Sequence, residues 1–314
     1  MASAPQSGGR DTTPFHPPKR LLDALSDAPE GPVRSWLEAL PETVGRLLDA
    51  WELTPERVVT PGGRHGLVVL VRQADGAPAA LKLPVPGPDA EPERAALAHW
   101  DGWGAARLLR ADPDTGALLI ERLSSGVSVR SLPEAKALLE AAGTVRRLWV
   151  PPPDGHPFAT VAERTGAGHE AGLLLPHGTW AADAGPLAEE AVGIRAELLA
   201  DPPETVLLHG DFRQGKVLAG ERTPWLAVGP APLVGERAYD LAQLVLDRCE
   251  DLAAGPGPAA AARRRVAKLA DSLEVDRDRL RGWTLYRAVA TGLHRATTGN
   301  RPRAELLLEF AGWL

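Results

Sequence analysis

Trp36, Leu37, Leu40, Val44, Leu47, Leu48 and Trp51 recur at near-helical spacing, so residues 33–51 are predicted to form a helix with one apolar stripe. Residues 67–72 and 79–83 then read as two strands, with the hairpin signal Asp75-Gly76 between them. A turn over 84–88 leads into helical spacing over 90–100, and residues 105–109 and 117–123 read as two further strands. Beyond this point the pattern is mostly helical. Ser131-Leu132-Pro133-Glu134 has the form of a capping box with proline just inside the helix, launching a run to about Trp149. Residues 150–157 are a proline-rich break, and 158–200 read as helix in pieces interrupted by glycines. A short strand over 206–208 and another over 225–228 follow, and helices are predicted over 239–252, 259–273, 277–297 and 303–314. The order is a helix, a small sheet with one helix, and a helical body containing a short hairpin. The change of character at 123–129 reads as a hinge, and no repeat occurs at any fixed period.

A length of 314 residues suits two lobes sharing one cleft, and 44% hydrophobic residues suffice for a sizeable core. The net charge of -6 argues against non-specific nucleic-acid binding, which needs a basic footprint. Cys249 is the one cysteine, which excludes an internal disulfide and a cysteine-based zinc site. Residues 1–18 are rich in Ser, Thr, Pro and Gly and have no apolar core, so they are expected to be a disordered tail and not a signal peptide. No apolar run approaches the ~18 residues of a spanning helix. No membrane association and a cytoplasmic location are therefore expected, and oligomeric state is left open. Lysine is scarce: Lys19, Lys82, Lys136, Lys216 and Lys268 are all there are, so one at a special position invites inspection.

The stretch His209-Gly210-Asp211 follows a buried strand and leads to Lys216. An aspartate placed so can orient, or take a proton from, a substrate hydroxyl during phosphoryl transfer, although a turn cap explains it alone. Lys82 lies inside an apolar strand, where a lysine either holds phosphates as a point charge or faces solvent from an edge. Glu93, on the following helix, is its natural ion-pair partner or else an exposed helix carboxylate. Gly62 and Gly63, in Pro61-Gly62-Gly63-Arg64-His65-Gly66, either cradle phosphates through backbone N–H groups or simply turn the chain. The joint order decides among these: glycine turn, strand, strand lysine, helix glutamate, hinge, then His-Gly-Asp. That succession predicts an α+β fold, bilobal and protein-kinase-like, with a small antiparallel-sheet N-lobe over 19–123 and a mainly helical C-lobe over 124–314 carrying the catalytic-loop hairpin. His156, His169, His177 and His294 lack metal-ligand spacing, the tryptophans fall mostly on core stripes, and Arg263 to Arg265 read as a solvated face. Glu189, Glu190, Asp247, Glu250 and Asp251 form either an acidic wall for a cationic ligand or ordinary exposed helix acids.

The chain resembles the aminoglycoside phosphotransferase superfamily, in its streptomycin 6-kinase and hydroxyurea phosphotransferase branch. The resemblance rests on Pro61-Gly62-Gly63 with 67–72, Leu81-Lys82-Leu83, Trp100-Asp101-Gly102-Trp103-Gly104-Ala105, 116–123, Leu207 to Asp211, 225–235 and Ala238-Tyr239-Asp240-Leu241-Ala242. It implies ATP or another nucleotide between the lobes, Lys82 paired with Glu93, and Glu121 to Leu123 on adenine through backbone. It implies Asp211 as catalytic base and Asp240 as a brace for the catalytic loop, where helix capping serves equally well as an explanation.

The departures from the family pattern are specific. Members carry asparagine five residues after the His-Gly-Asp aspartate, and later an Asp-Pro pair whose aspartate is the second metal ligand; Lys216 and Gly229 stand at those places. The branch also has a serine where this chain has Gly66. An ammonium has no lone pair and glycine no side chain, while magnesium needs hard oxygen donors, so no metal ligand is assigned and magnesium binding is expected to be weak or absent. Lys216 either substitutes in part for the ions or has drifted to the surface. The reading is a pseudokinase that binds a small molecule, a nucleotide or a peptide in the cleft. The alternatives are an active ATP-dependent O-phosphotransferase acting on a hydroxyl of an antibiotic or other secondary metabolite, and an enzyme of different chemistry in the same cleft.

Overall fold

Residues 15–26, 31–174 and 184–314 are described by the structure, a computed structural model. Most of the expected disordered tail, and His177, lie outside them. The chain divides into two units, Met1–Ala90 with Leu109–Arg122, and Glu91–Leu108 with Leu123–Leu314.

In the first unit α1 (Lys19–Ala24) and α2 (Pro32–Ala50) accompany a five-stranded sheet. The strands are β1 (Thr54–Val58), β2 (Gly66–Arg72), β3 (Pro78–Pro84), β4 (Leu108–Ala111) and β5 (Leu118–Glu121), in the order β1-β2-β3-β5-β4. Proline at the first turn of α2 suits a helix start, and its predicted stripe is buried at Leu40, Val44, Leu47 and Leu48. These side chains share one core with Leu67, Val69 and Val71 of β2 and Ala79, Leu81 and Leu83 of β3. Because side chains alternate along a strand, Val68 and Lys82, which face each other in register, lie on the opposite face of the sheet. The Asp75-Gly76 hairpin forms as expected, with Gln73 N donating to Ala77 O at 2.9 Å. Gly66 has a packing reason: a Cβ there would stand 2.5 Å from Leu83 O, so the serine of the related branch needs β3 to shift. The edge strand β1 escapes the sequence reading because its Thr-Pro-Glu-Arg-Val run is exposed and carries no apolar alternation.

The second unit begins with α3 (Ala90–Trp100) and continues through β6 (Ser124–Ser128), α4 (Glu134–Leu148), α5 (Val161–Arg164), α6 (Ala167–Leu174) and α7 (Gly185–Ala200). Then come β7 (Val206–Leu208), β8 (Val217–Ala219), β9 (Trp225–Ala227) and β10 (Leu233–Gly235). The helices α8 (Arg237–Leu246), α9 (Cys249–Ala253), α10 (Pro258–Leu273), α11 (Arg277–Thr297) and α12 (Arg301–Gly312) complete it. β6, β8 and β9 form one small sheet, and β7 pairs with β10. α11 is the hub: it packs against α7, α8, α10 and α12 and buries Trp283, Tyr286 and Leu293.

Several expectations are corrected. Residues 91–108, placed by sequence with the N-lobe, belong to the second unit, where Trp100 Nε1 donates to Leu148 O at 2.9 Å and Ala106 N to Ala227 O at 2.9 Å. At the expected hinge over 123–129 the unit boundary falls between Arg122 and Leu123, and Ser124–Ser128 form strand β6. The capping box at Ser131 does not form: Ser131 Oγ donates back to Ser128 O at 2.7 Å, Pro133 takes the cap position, and the Glu134 carboxylate pairs with Arg265. The single helix over 239–252 breaks at Asp247, which is extended, and Arg248, at φ 56°. Arg265, expected on a solvated face, is buried, and its guanidinium donates to Val245 O at 3.0 Å and Asp247 O at 2.7 Å. A buried arginine needs such partners to offset desolvation. Trp103 is 62% exposed, unlike the core tryptophans Trp100 and Trp283.

Candidate active site

The strand β7 delivers His209, Gly210 and Asp211 to the start of a loop that closes in a 3₁₀ turn over Gln214–Lys216 and enters β8. Two carboxylates from α8 and its end hold this loop. Asp240, fully buried, accepts from His209 N and Gly210 N at 2.8 Å each. Asp247, just past the end of α8, accepts from Gln214 N at 2.7 Å. Arg287 adds a donor to Gly210 O at 3.3 Å while its guanidinium lies 4.4 Å from the centre of the Tyr239 ring. The brace implied for Asp240 is thus a pair of backbone hydrogen bonds to one buried carboxyl, which burial pushes above the ordinary aspartate range while the His209 and Gly210 N–H groups pull it back.

Around Asp211 the charges are close. Lys216 Nζ lies 2.5 Å from Asp211 Oδ2 and donates to Gly229 O at 2.6 Å. Arg213 Nη2 lies 3.5 Å from the same carboxylate oxygen. Burial pulls the Asp211 carboxyl upward, but the Lys216 and Arg213 charges outweigh it and hold the group below the ordinary aspartate range. Gly229 sits at φ 61°, and a Cβ there would point at the ammonium, 3.8 Å from Nζ. Positions 211, 216 and 229, which the family pattern brings together, therefore converge on one point here too, and a lysine ammonium fills it. Against the alternative of a drifted surface lysine stand the part-burial of the Lys216 side chain and its two oxygen partners.

Behind the loop, His209 is fully buried between Trp100, whose ring stacks at 6.5 Å, and Phe212. Burial, followed by the Lys216 charge, pushes its imidazole down to about 3. Its Nε2 lies 3.3 Å from Val228 O, consistent with a neutral ring donating there.

The other predicted residues are placed as follows. Gly62 and Gly63 lie in the turn between β1 and β2, where a Cβ on Gly62 would stand 2.9 Å from both Pro18 Cγ and Val59 O. Lys82 is mid-strand on the central β3, between Val68 and Leu118. Glu121 ends β5, paired in register with Ala79. Glu93 is buried in α3, and Leu123 packs with Ala106 and Leu226. Gly62, Gly63, Lys82 and Glu121 belong to the first unit, and Glu93, Leu123, Asp211, Lys216 and Gly229 to the second. Three acids of the expected acidic wall are paired with arginines, while Glu189 and Glu190 stand exposed on α7. Asp247 and Glu250 pair with Arg130, Glu250 also with Arg303, and Asp251 with Arg248. The role of Asp247 was missed, although its place two turns after Asp240 on one face of the predicted helix was the available signal.

Over residues 50–299 the chain matches the family described as aminoglycoside/hydroxyurea antibiotic resistance kinase, and it belongs to that family. It is 35% identical to streptomycin 6-kinase of Streptomyces griseus, over 89% of this chain and 90% of that protein. It is 38% identical to hydroxyurea phosphotransferase of Kitasatospora aureofaciens, over 85% of this chain and 76% of that protein. Among solved structures it is similar to aminoglycoside phosphotransferase APH(4)-Ia bound to ADP and hygromycin B, with a TM-score of 0.57, 17% identity, and coverage of 85% of this chain and 96% of that one. The fold is thus that of the kinase-like phosphotransferases, with a small antiparallel-sheet lobe and a mainly helical lobe.

Proposed function

We propose that this chain is a pseudokinase of the antibiotic-kinase family, which binds a small molecule, a nucleotide or a peptide and does not transfer phosphate by the magnesium-assisted route. One observation carries the reading: the carboxylate of Asp211, the group that would orient the acceptor hydroxyl, is held 2.5 Å from the Lys216 ammonium. The resemblance implies divalent ions in that space in the active kinases of the family. Magnesium asks for several hard oxygens in near-octahedral array at about 2.0–2.1 Å. The donors offered here are one carboxylate already paired with cations and the backbone carbonyl of Gly229, and an ammonium stands between them. That donor set does not fit a magnesium ion. Gly62, Gly63, Lys82 and Glu121 of the first unit, and Glu93 and Leu123 of the second, are retained as the residues that the resemblance assigns to a nucleotide.

Kinship favours a second reading, an active ATP-dependent O-phosphotransferase acting on a hydroxyl of an antibiotic or other secondary metabolite. The relatives at 35% and 38% identity bear the names of such kinases. Incubating the full chain with ATP, magnesium and either streptomycin or hydroxyurea, and following ADP release and ³¹P NMR, separates the two. The pseudokinase reading expects no phosphorylated product from wild type. Transfer at a rate comparable to that of the kinase relatives would sink it and establish the second.

A further inference from the structure

We infer that Lys216, Arg213, Asp211 and Gly229 form a metal-free anion site in which Lys216 is the resident cation and the ligand is a terminal phosphate group presented as the free anion. This rests on the reading above that the loop around Asp211 is the ligand site, and it adds the chemistry of the ligand. Two oxygens hold the ammonium, Asp211 Oδ2 at 2.5 Å and Gly229 O at 2.6 Å, so its charge is fixed in space before any ligand arrives. A fixed charge costs no reorganisation on binding. Arg213 brings a second cation to the same carboxylate oxygen, so Asp211 offsets only one of two positive charges and the cluster is cationic. It is also reachable: the side chains of Arg213, Asp211 and Lys216 are 44%, 33% and 18% exposed.

The sign of the metal effect follows from Coulomb's law. A phosphate that arrives alone meets two cations and one neutralised carboxylate. A phosphate that arrives as its magnesium complex brings a dication against the Lys216 and Arg213 charges, while Asp211 has no unpaired charge left to coordinate it. The resemblance implies metal ligands at the positions of 216 and 229 in the kinases of this family, and the dependence on magnesium is inferred to be inverted here. A nucleotide and a phosphorylated small molecule share this terminal phosphate, and the probes must tell them apart.

Calorimetric titration of the full chain with ADP and with inorganic pyrophosphate, each in EDTA and in excess magnesium, tests the inference. Binding in EDTA that weakens several-fold in magnesium is expected. If both probes bind, the phosphate alone is recognised; if only ADP binds, the nucleotide is the source. Lys216→Met is expected to lower the metal-free affinity about tenfold or more, as loss of a charge-assisted contact does. Arg213→Gln, at a more exposed position, serves as the second variant should Lys216→Met not fold, and is expected to weaken binding less. Binding that requires magnesium, equal affinity in folded Lys216→Met, or no binding of either probe overturns the inference. Phosphate transfer from magnesium ATP alongside intact metal-free ADP binding would remove only the pseudokinase reading. Absent metal-free binding without transfer would remove only the anion site.

Discussion

At His209 a single side chain couples the candidate site to stability. The unfolded chain takes up a proton there near about pH 6.5, whereas the buried native imidazole does so only at about 3. In that window the unfolded state binds more protons, so native stability is full above the unfolded pKa and falls as pH drops from about 6.5 towards 3, by up to a few kcal/mol. Glutamine can keep an N–H for Val228 O without titrating. His209→Gln should therefore show a flatter dependence of urea-derived stability between about pH 6 and 4 than wild type, and parallel profiles would refute the assignment. Lys216 shows what a residue owes to its neighbours. In the sequence it is an amine where an asparagine belongs, and substitute cation and drifted surface lysine stand side by side. What chooses between them is the carbonyl of Gly229 and the carboxylate of Asp211, both within hydrogen-bond reach of Nζ. Arg265 reverses in the same way, since its burial depends on Glu134 and on the carbonyls of Val245 and Asp247.

At the scale of elements, α8 acts as a clamp. Asp240 grips the loop where it leaves β7, and Asp247 grips it again before the 3₁₀ turn. The helix ends at Leu246, and the carboxylate of Asp247 beyond it also receives Arg130 Nη1 at 3.0 Å. Asp247→Ala leaves the buried N–H of Gln214 without its acceptor and should cost ~2–4 kcal/mol in urea unfolding. The amide of Gln214 should also exchange faster; a cost within ~0.5 kcal/mol would show that the clamp is incidental. Elements with strong periodicity are legible in sequence: α2, β2, β3, α10, α11 and α12 lie close to where the apolar pattern puts them. Short, exposed or three-residue strands such as β1, β8 and β10 are not, because they contain too few positions for a period to register. The break between α8 and α9 is invisible for another reason. Both sides read as helix, and only the partners of Asp247 favour the extended backbone there.

Over the whole molecule the chain divides into two compact units, and the two are expected to unfold with separate free energies. Leu81 is fully buried in the first unit, and Leu81→Ala should remove ~2–5 kcal/mol there. Hydrogen exchange should speed up across α2, β2 and β3 while α11 keeps its protection. Uniform loss of protection through both units would show that the chain unfolds as one. The order of the strongly periodic elements, the two-lobe class and the loop that carries Asp211 were determined by the sequence alone, because apolar periodicity and the His-Gly-Asp motif are local in the chain. So were the amine at 216 and the bare backbone at 229, since side-chain chemistry is given by residue type. The tertiary structure alone decided that residues 91–108 pack with the second unit, that Asp247, Glu250 and Asp251 are paired with arginines, and that an ammonium sits among positions 211, 216 and 229. These depend on groups distant in sequence meeting in space, where a charge is stabilised or penalised by whatever oxygen or cation lies within a few ångströms.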